Sequence, residues 1–363
     1  MMDIKKRIED ARTVMRQKQL DCLILSPSAD LYYMTGLSPI AAERPVFLIV
    51  LKEEAYVILP AFEADDLREE IKEQISCIFW QETEDPYRKA AACVGGGSIR
   101  IAAGDAMPNV MAYRLARQIK AASWSLGSEV MEELRARKDA AELKYLMTAQ
   151  EKSEAALLRT LEQGLEGFTE REVARRLKGY LEEEGLSCRG LPLVAAGQNG
   201  AVPHHQAADC RICFQDAVVI DFGGSYEGYF SDITRTVAVG KPPEGFEEIY
   251  GTVRAANEAA FQAAAPGITC GCLDEAARQV IREAGYGGFF THRLGHGIGL
   301  DIHEPPYIVA GSRKQLEPGN VFSNEPGIYL PGRFGIRLED DLYIGQKEAE
   351  CLTGLGHELL VVD

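Results

Sequence analysis

Positive charge is scarce in this chain: 39 lysines and arginines stand against 55 aspartates and glutamates, a formal net charge of -16. That surplus of acid excludes a general affinity for nucleic acid or an anionic membrane, and points to small molecules, peptides or further copies of the chain as partners. Long apolar runs are missing as well. The longest, such as Val46 to Leu51, are strand-sized, and the opening MMDIKKRIEDARTVMRQ has no apolar core of the kind a signal peptide carries. A cytoplasmic protein is expected. A disulfide framework is also lacking, because the nine cysteines are odd in number and scattered. Cys210-Arg-Ile-Cys213 and Cys270-Gly-Cys272 would supply four thiolates to a structural zinc, or the first a redox pair. One pair runs into a strand instead of opening a helix and the other has one-residue spacing, so free thiols are the favoured reading. Gly95-Gly96-Gly97 follows a helical pattern, precedes a strand and has no Lys-Ser/Thr after it, which is the wrong order for a phosphate loop.

At 363 residues, 46% hydrophobic and 26% charged, the chain has the composition of a soluble globular protein of two domains. The first part alternates. Lys5 to Lys18 has helical spacing, DCLILSP, PVFLIVL, AYVILP, SCIFW and SIRIAAG read as strands, and helical runs around Ala61 to Ile71, Tyr87 to Cys93 and Val110 to Lys120 fall between several of them. This order predicts an α/β domain with a mixed sheet. From about Met131 a long charged helix is expected, free of glycine and proline until Gly164. The division is placed near Gly127 to Glu133, giving domains 1–128 and 129–363.

The second domain contains a faint duplication. GFTEREVARRLKGYLEEEG (Gly167 to Gly185) and GITCGCLDEAARQVIREAG (Gly267 to Gly285) are offset by 100 residues, each with Thr as N-cap and Gly closing the helix. After each comes a strand ending in an acid, Asp221 in one copy and Glu325 in the other. The pattern predicts two similar halves facing each other about a pseudo-twofold axis.

Each acid has a mate on a returning strand. A turn centred between Tyr226 and Glu227 pairs Asp221 with Asp232, and one centred on Gly332 pairs Glu325 with Glu339. Four carboxylates brought together raise one another's pKa values unless cations intervene, and two divalent ions about 3.5–4 Å apart suit such a cage. Nitrogen would come from THRLGHGIGLDIHEPP, with His292, His296 and His303; glycines on both sides of His296 allow close backbone approach. One imidazole in an oxygen-rich set suits manganese, cobalt or iron, and tolerates zinc.

These residues carry a resemblance. The second domain resembles the creatinase/aminopeptidase ("pita-bread") metallopeptidase family, and the whole chain resembles its Xaa-Pro peptidase branch, the proline aminopeptidases and prolidases. It rests on DCLILSPSADLYYMTGL and ERPVFLIV in the first domain, and on VPHH, VVIDFGGSYEGYFSDITRT, HRLGHGIGLDIHEPP and FSNEPGIYLPGRFGIRLEDD in the second. The implied architecture is an α/β creatinase-type N-terminal domain with a mixed sheet, followed by an α+β pita-bread catalytic domain.

The resemblance implies that Asp221, Asp232, His296, Glu325 and Glu339 hold two divalent metal ions, manganese first among the candidates, with Asp232 and Glu339 touching both. Glu325 would be general base and proton shuttle to a hydroxide bridging the ions. His204 and His303 would face the substrate or tetrahedral intermediate, His292 would lie near the scissile bond or proline ring, and Arg337 would hydrogen-bond to the metal ligands. The implied reaction is hydrolysis of an Xaa-Pro bond in peptides or dipeptides, by a homodimer. Alternatives are a related hydrolase acting on a small amide metabolite, or a pita-bread binding module without catalysis. Leu294 and His205 depart from the commoner pattern at positions expected to line or border the site, and His205 and His357 are read as surface residues.

Overall fold

The computed structural model describes residues 3–39, 43–65 and 67–363. It divides into two compact units, Met1–Arg135 and Ala136–Asp363.

The first unit contains α1 (Ile4–Gln17), β1 (Cys22–Leu25), α2 (Ala29–Thr35), β2 (Phe47–Leu51), β3 (Ala55–Pro60), α3 (Glu69–Lys72), β4 (Ser76–Trp80), α4 (Pro86–Val94), β5 (Ile99–Ala103), α5 (Asn109–Gln118), β6 (Ala121–Leu126) and α6 (Ser128–Arg135). Its six strands form one mixed sheet in the order β4-β3-β2-β1-β5-β6. The central strands β1 and β2 are apolar in consecutive runs because both their faces are covered, whereas the edge strand β6 is largely open. Cys22, Ile24, Phe47 and Ile49 pack with Tyr87, Ala90, Met111 and Leu115 of α4 and α5. The expected helix over Ala61 to Ile71 is instead a 3-10 turn at Ala61–Glu63 and the short α3, with residue 66 outside the described residues.

The long helix expected from Met131 is two helices. The first, α6, packs on α1 and buries Val130 and Met131, which puts it with the first unit. The second, α7 (Ala140–Leu161), starts afresh because Asp139 caps it: the Asp139 carboxylate accepts from the amides of Ala141 and Glu142, and Glu142 returns a bond to the Asp139 amide. The units therefore divide at 135/136 and not at 128/129.

The second unit continues with α8 (Glu170–Glu183), β7 (Leu193–Ala196), β8 (Ala217–Phe222), β9 (Ser225–Tyr226), β10 (Tyr229–Phe230), β11 (Ile233–Val239), α9 (Phe246–Ala263), α10 (Cys270–Glu283), β12 (Gly295–Gly297), β13 (Glu304–Ile308), β14 (Val321–Asn324), β15 (Gly327–Leu330), β16 (Phe334–Arg337), β17 (Asp340–Ile344), β18 (Ala349–Cys351) and β19 (Val361–Val362). One sheet, β19-β11-β8-β7, is covered by α7 and α8 through Ala156, Leu157, Val173 and Leu177. The other, β13-β12-β14-β17-β18, is covered by α9 and α10 through Val253, Ala260, Leu273 and Ala277. The duplication is thus physical: α8 and α10 are both 14 residues long, capped by Thr169 and Thr269, and both caps pair through an isolated bridge, to Arg211 and Gln315. A bridge between Thr234 and Glu339 joins the two halves where their acid-bearing strands end.

Candidate metal centre

The first hairpin turns one residue later than its sequence suggests. Tyr226 pairs with Tyr229, so the turn is the two residues Glu227 (φ 49) and Gly228 (φ 83), both in the left-handed region that a two-residue hairpin turn needs. With the centre between Glu227 and Gly228 instead of Tyr226 and Glu227, Asp221 faces Thr234, not Asp232. Asp232 stands two residues before Thr234, at the entry to β11, and the chain opposite comes close there: an added Cβ on Gly223 would meet the Ser231 carbonyl oxygen at 1.9 Å. The second hairpin follows its expected register: β15 and β16 pair about Gly332 (φ 72), and the same register resumes at Asn324 with Asp340. Glu325 and Glu339 therefore stand across from each other in the gap between these ladders.

His296 is on β12 between two glycines whose hydrogens are required by neighbouring strands. A Cβ on Gly295 would lie 1.7 Å from the Ser323 carbonyl oxygen, and one on Gly297 2.4 Å from that of Pro305. The His296 Nδ1 faces the Gly297 carbonyl at 3.2 Å, and a carbonyl only accepts, so Nδ1 carries a proton; Nε2 faces Glu325 and Asp232, donating to Glu325 while it holds a proton and presenting its lone pair to the site once that proton is released.

These elements line a cavity of about 610 Å³ whose walls include Asp221, Asp232, His296, Glu325, Arg337 and Glu339. His296 Nε2 is 3.3 Å from Glu325 Oε1 and 3.7 Å from Asp232 Oδ2. One donor atom each from Asp232, His296 and Glu339 lies within 4.8 Å of the others. Glu339 Oε2 accepts from Thr234 Oγ1 at 2.6 Å, and Asp221 Oδ2 from Arg337 Nη2 at 2.6 Å.

The electrostatics are those of an acid cluster short of cations. Burial, reinforced by Asp221, Asp341 and Glu325, pushes the Asp232 carboxyl well above its ordinary value. Burial, with Asp232, Glu325 and Asp221, does the same to Glu339. Burial also acts upward on Glu325, but the hydrogen bond and charge of His296 outweigh it and hold that carboxyl below its ordinary value. A divalent ion supplies what the cluster lacks, and the four acids Asp221, Asp232, Glu325 and Glu339 with one imidazole nitrogen fit a hard to borderline metal. No cysteine belongs to the group, and all nine are free thiols.

The outer residues sort differently from expectation. His204, His292 and His303 all line the cavity. His303 stands edge-on to His296, ring centroids 4.2 Å apart, and burial followed by His296 and Arg293 lowers its pKa. His292 donates from Nδ1 to the Arg293 carbonyl (2.7 Å), leaving Nε2 to accept from the Tyr329 hydroxyl (2.8 Å), which itself accepts from Arg337 Nη1 (2.9 Å). Burial lowers the pKa of His292 and raises that of Tyr329 to about 12.

Leu294 does not line the site. Its side chain is fully buried in the core with α9 and α10, and it is absent from the cavity wall although it precedes β12 by a single residue. His205 and His357 are not bare surface residues. They pair with the buried acids Glu170 and Asp340 at 2.8 Å and 2.7 Å, partners far away in sequence. Sequence reasoning missed Tyr329, Thr234 and Asp341, the last accepting from the Asp232 amide at 3.1 Å. A signal for Tyr329 exists in Gly327 and Gly335, the glycines against which its ring lies.

Comparison with known proteins agrees with this geometry. The description "Metallopeptidase family M24" matches residues 144–346, and "Creatinase/Prolidase N-terminal domain" matches residues 7–137. The chain is 36% identical to the "Probable dipeptidase PepE" of Mycobacterium tuberculosis, over 98% of this chain and 96% of that one. It is 34% identical to the "Xaa-Pro dipeptidase" of Pyrococcus furiosus, over 98% of this chain and all of the relative. A crystal structure of recombinant prolidase from Thermococcus sibiricus superposes over the full length of both chains with a TM-score of 0.91 at 36% identity. With a cavity of clustered acids and an imidazole inside the matched region, the chain belongs to metallopeptidase family M24, carrying a creatinase/prolidase N-terminal domain ahead of a pita-bread catalytic domain.

Proposed function

We propose that this protein hydrolyses the bond between an N-terminal residue and a following proline, in dipeptides and at the start of short peptides. The observation that carries the reading is the convergence of Asp221, Asp232, His296, Glu325 and Glu339 on one cavity, in a chain whose relatives are named Xaa-Pro dipeptidase and prolidase. Those five residues would hold two divalent ions, manganese foremost. When bound, such ions lower the pKa of water and polarise a carbonyl.

The chain's own residues supply the rest. Glu325 takes the proton of the attacking water and passes it to the leaving prolyl nitrogen. His204 and His303 sit at the exposed side of the cavity, where an N–H meets charge developing on the carbonyl oxygen. His292, kept neutral by burial and oriented by Tyr329, packs against the proline ring. Arg337 fixes the Asp221 carboxylate. The working form is a homodimer.

The test is an assay of the manganese- or cobalt-loaded protein on Gly-Pro, a longer Xaa-Pro-Xaa peptide and a dipeptide without proline. Cleavage confined to Xaa-Pro bonds is expected; cleavage of none would sink the reading. Asp232→Asn is expected to lower bound metal and abolish turnover, and a fully active variant would remove Asp232 from the ligand set.

A further inference from the structure

The two duplicated helices each bury an acid that hydrogen-bonds to a single segment, and each segment carries one of the outer histidines. Glu170, the first residue of α8, is fully buried and makes four bonds. Its Oε1 accepts from the Ala196 amide (2.8 Å) and Asn199 Nδ2 (2.8 Å), and its Oε2 from His205 Nε2 (2.8 Å) and the Ala208 amide (2.9 Å). These donors bracket residues 196–208, with His204 among them. Among the described residues no side chain hydrogen-bonds to the His204 ring, so its place in the cavity is inherited from the backbone that Glu170 holds.

In α10, Asp274 is also fully buried. Its Oδ1 accepts from the Leu294 amide at 3.0 Å, and both its oxygens accept from Arg278, which donates onward to the carbonyls of Phe290 (3.0 Å) and His292 (2.9 Å). This set brackets residues 290–294, with His292 among them. A buried carboxylate is costly unless its oxygens are satisfied, and in both helices that need is met by the loop carrying a cavity histidine.

We propose that Glu170 with His205, and Asp274 with Arg278, are matched positioning residues: each half of the duplicated domain uses its own helix to hold one outer histidine, His204 or His292, over the metal cavity. The inference rests on the peptidase reading above. Misplacement of an outer group by about 1 Å is enough to cost about 100-fold in rate without touching the metal ligands.

Double-mutant cycles on the manganese-loaded enzyme test it, with kcat, KM and bound metal measured for each variant. His205→Ala, at a half-buried position, is expected to lower kcat about tenfold or more with unchanged metal content. His205→Gln, which keeps a side-chain N–H for Glu170, restores most of the loss. In a His204→Ala background, His205→Ala or Glu170→Gln has no further effect on kcat, and Asp274→Asn is silent in the same way when His292 is already alanine. Independent, multiplicative losses overturn the proposal, as does a loss that follows metal content or thermal stability. Wild-type enzyme that cleaves no Xaa-Pro bond overturns the peptidase reading itself, and this inference with it.

Discussion

Arg337 Nη2 lies 2.6 Å from Asp221 Oδ2, while the same guanidinium donates through Nε to Thr234 Oγ1 (3.0 Å) and through Nη1 to the Tyr329 hydroxyl (2.9 Å). One planar side chain from β16 thus holds an acid on β8, a hydroxyl on β11 and a phenol on β15. It places a buried positive charge among acids, and burial, which would lower its pKa, is outweighed by Tyr329, Asp221, Glu339 and Glu325.

Arg337→Met is accordingly expected to leave Asp221 without its donor and to remove the nearby positive charge. In chelator-treated protein the loss should fall toward the lower end of the about 3–5 kcal/mol typical of breaking a buried pair, because the Asp221 side chain is 31% exposed. Divalent ions should restore part of it. Urea midpoints of wild type and variant, each with chelator and with manganese, measure both effects; an equal loss in the two conditions would contradict the role given to Arg337.

The raised carboxyls of Asp232 and Glu339 set a pH dependence. Their folded pKa values lie above the ordinary 3.8 and 4.5, so the folded state holds protons that the unfolded chain has released. Their contribution to stability is complete below those ordinary values and is lost as pH rises through the folded ones, at about 1.4 kcal/mol per pH unit for each group. Glu325, shifted the other way, loses its contribution only on acidification below 4.5. Metal-stripped protein should therefore weaken as pH is raised from 4.5 into the neutral range, and added divalent ion should reverse the trend while releasing protons. Stripped protein that gains stability over that interval would refute the acid-cluster account.

Tyr329 joins Arg337 to His292. Tyr329→Phe leaves the packed ring but deprives Arg337 Nη1 and His292 Nε2 of a partner. A stability loss of about 1–3 kcal/mol is expected, together with a fall in kcat of roughly tenfold and unchanged metal content. Calorimetry, steady-state kinetics and metal analysis on one preparation check all three, and unaltered kcat would remove Tyr329 from the site.

Gly295→Ala drives a Cβ to within 1.7 Å of the Ser323 carbonyl oxygen, so β12 and β14 must part and His296 must move. The expected loss is about 3 kcal/mol or more. Gly179, inside α8, has nothing within 4 Å of an added Cβ, and Gly179→Ala should stabilise by about 0.5–1 kcal/mol. Thermal unfolding of the two variants side by side gives the contrast; similar melting temperatures would show that the glycine beside His296 is not sterically required.

The two hairpins show where the sequence can be read and where it cannot. The second is centred on Gly332 inside Pro331-Gly332-Arg333, and that punctuation sets the register which places Glu325 across from Glu339. The first has glycines on both sides of its tip, and the choice of turn depends on Glu227 adopting a left-handed backbone, which its side chain does not announce. His205 and His357 carry no local sign of burial, because Glu170 and Asp340 reach them from distant parts of the chain. Asp139 followed by Glu142 was a readable capping box inside what otherwise looks like one continuous helix.

By itself the sequence determined the α/β first unit, the duplicated capped helices, and the presence of acids and a Gly-flanked histidine at strand ends, since caps, alternation and turn residues act over a few positions. Only the tertiary structure decided which atoms meet. That Asp221 faces Thr234, that Leu294 enters the core, that Tyr329 bridges Arg337 and His292, and that the Asp232 and Glu339 carboxyls are pushed above their ordinary values all follow from burial and long-range neighbours. Those depend on how the two halves close on each other, and no short stretch of chain contains that information.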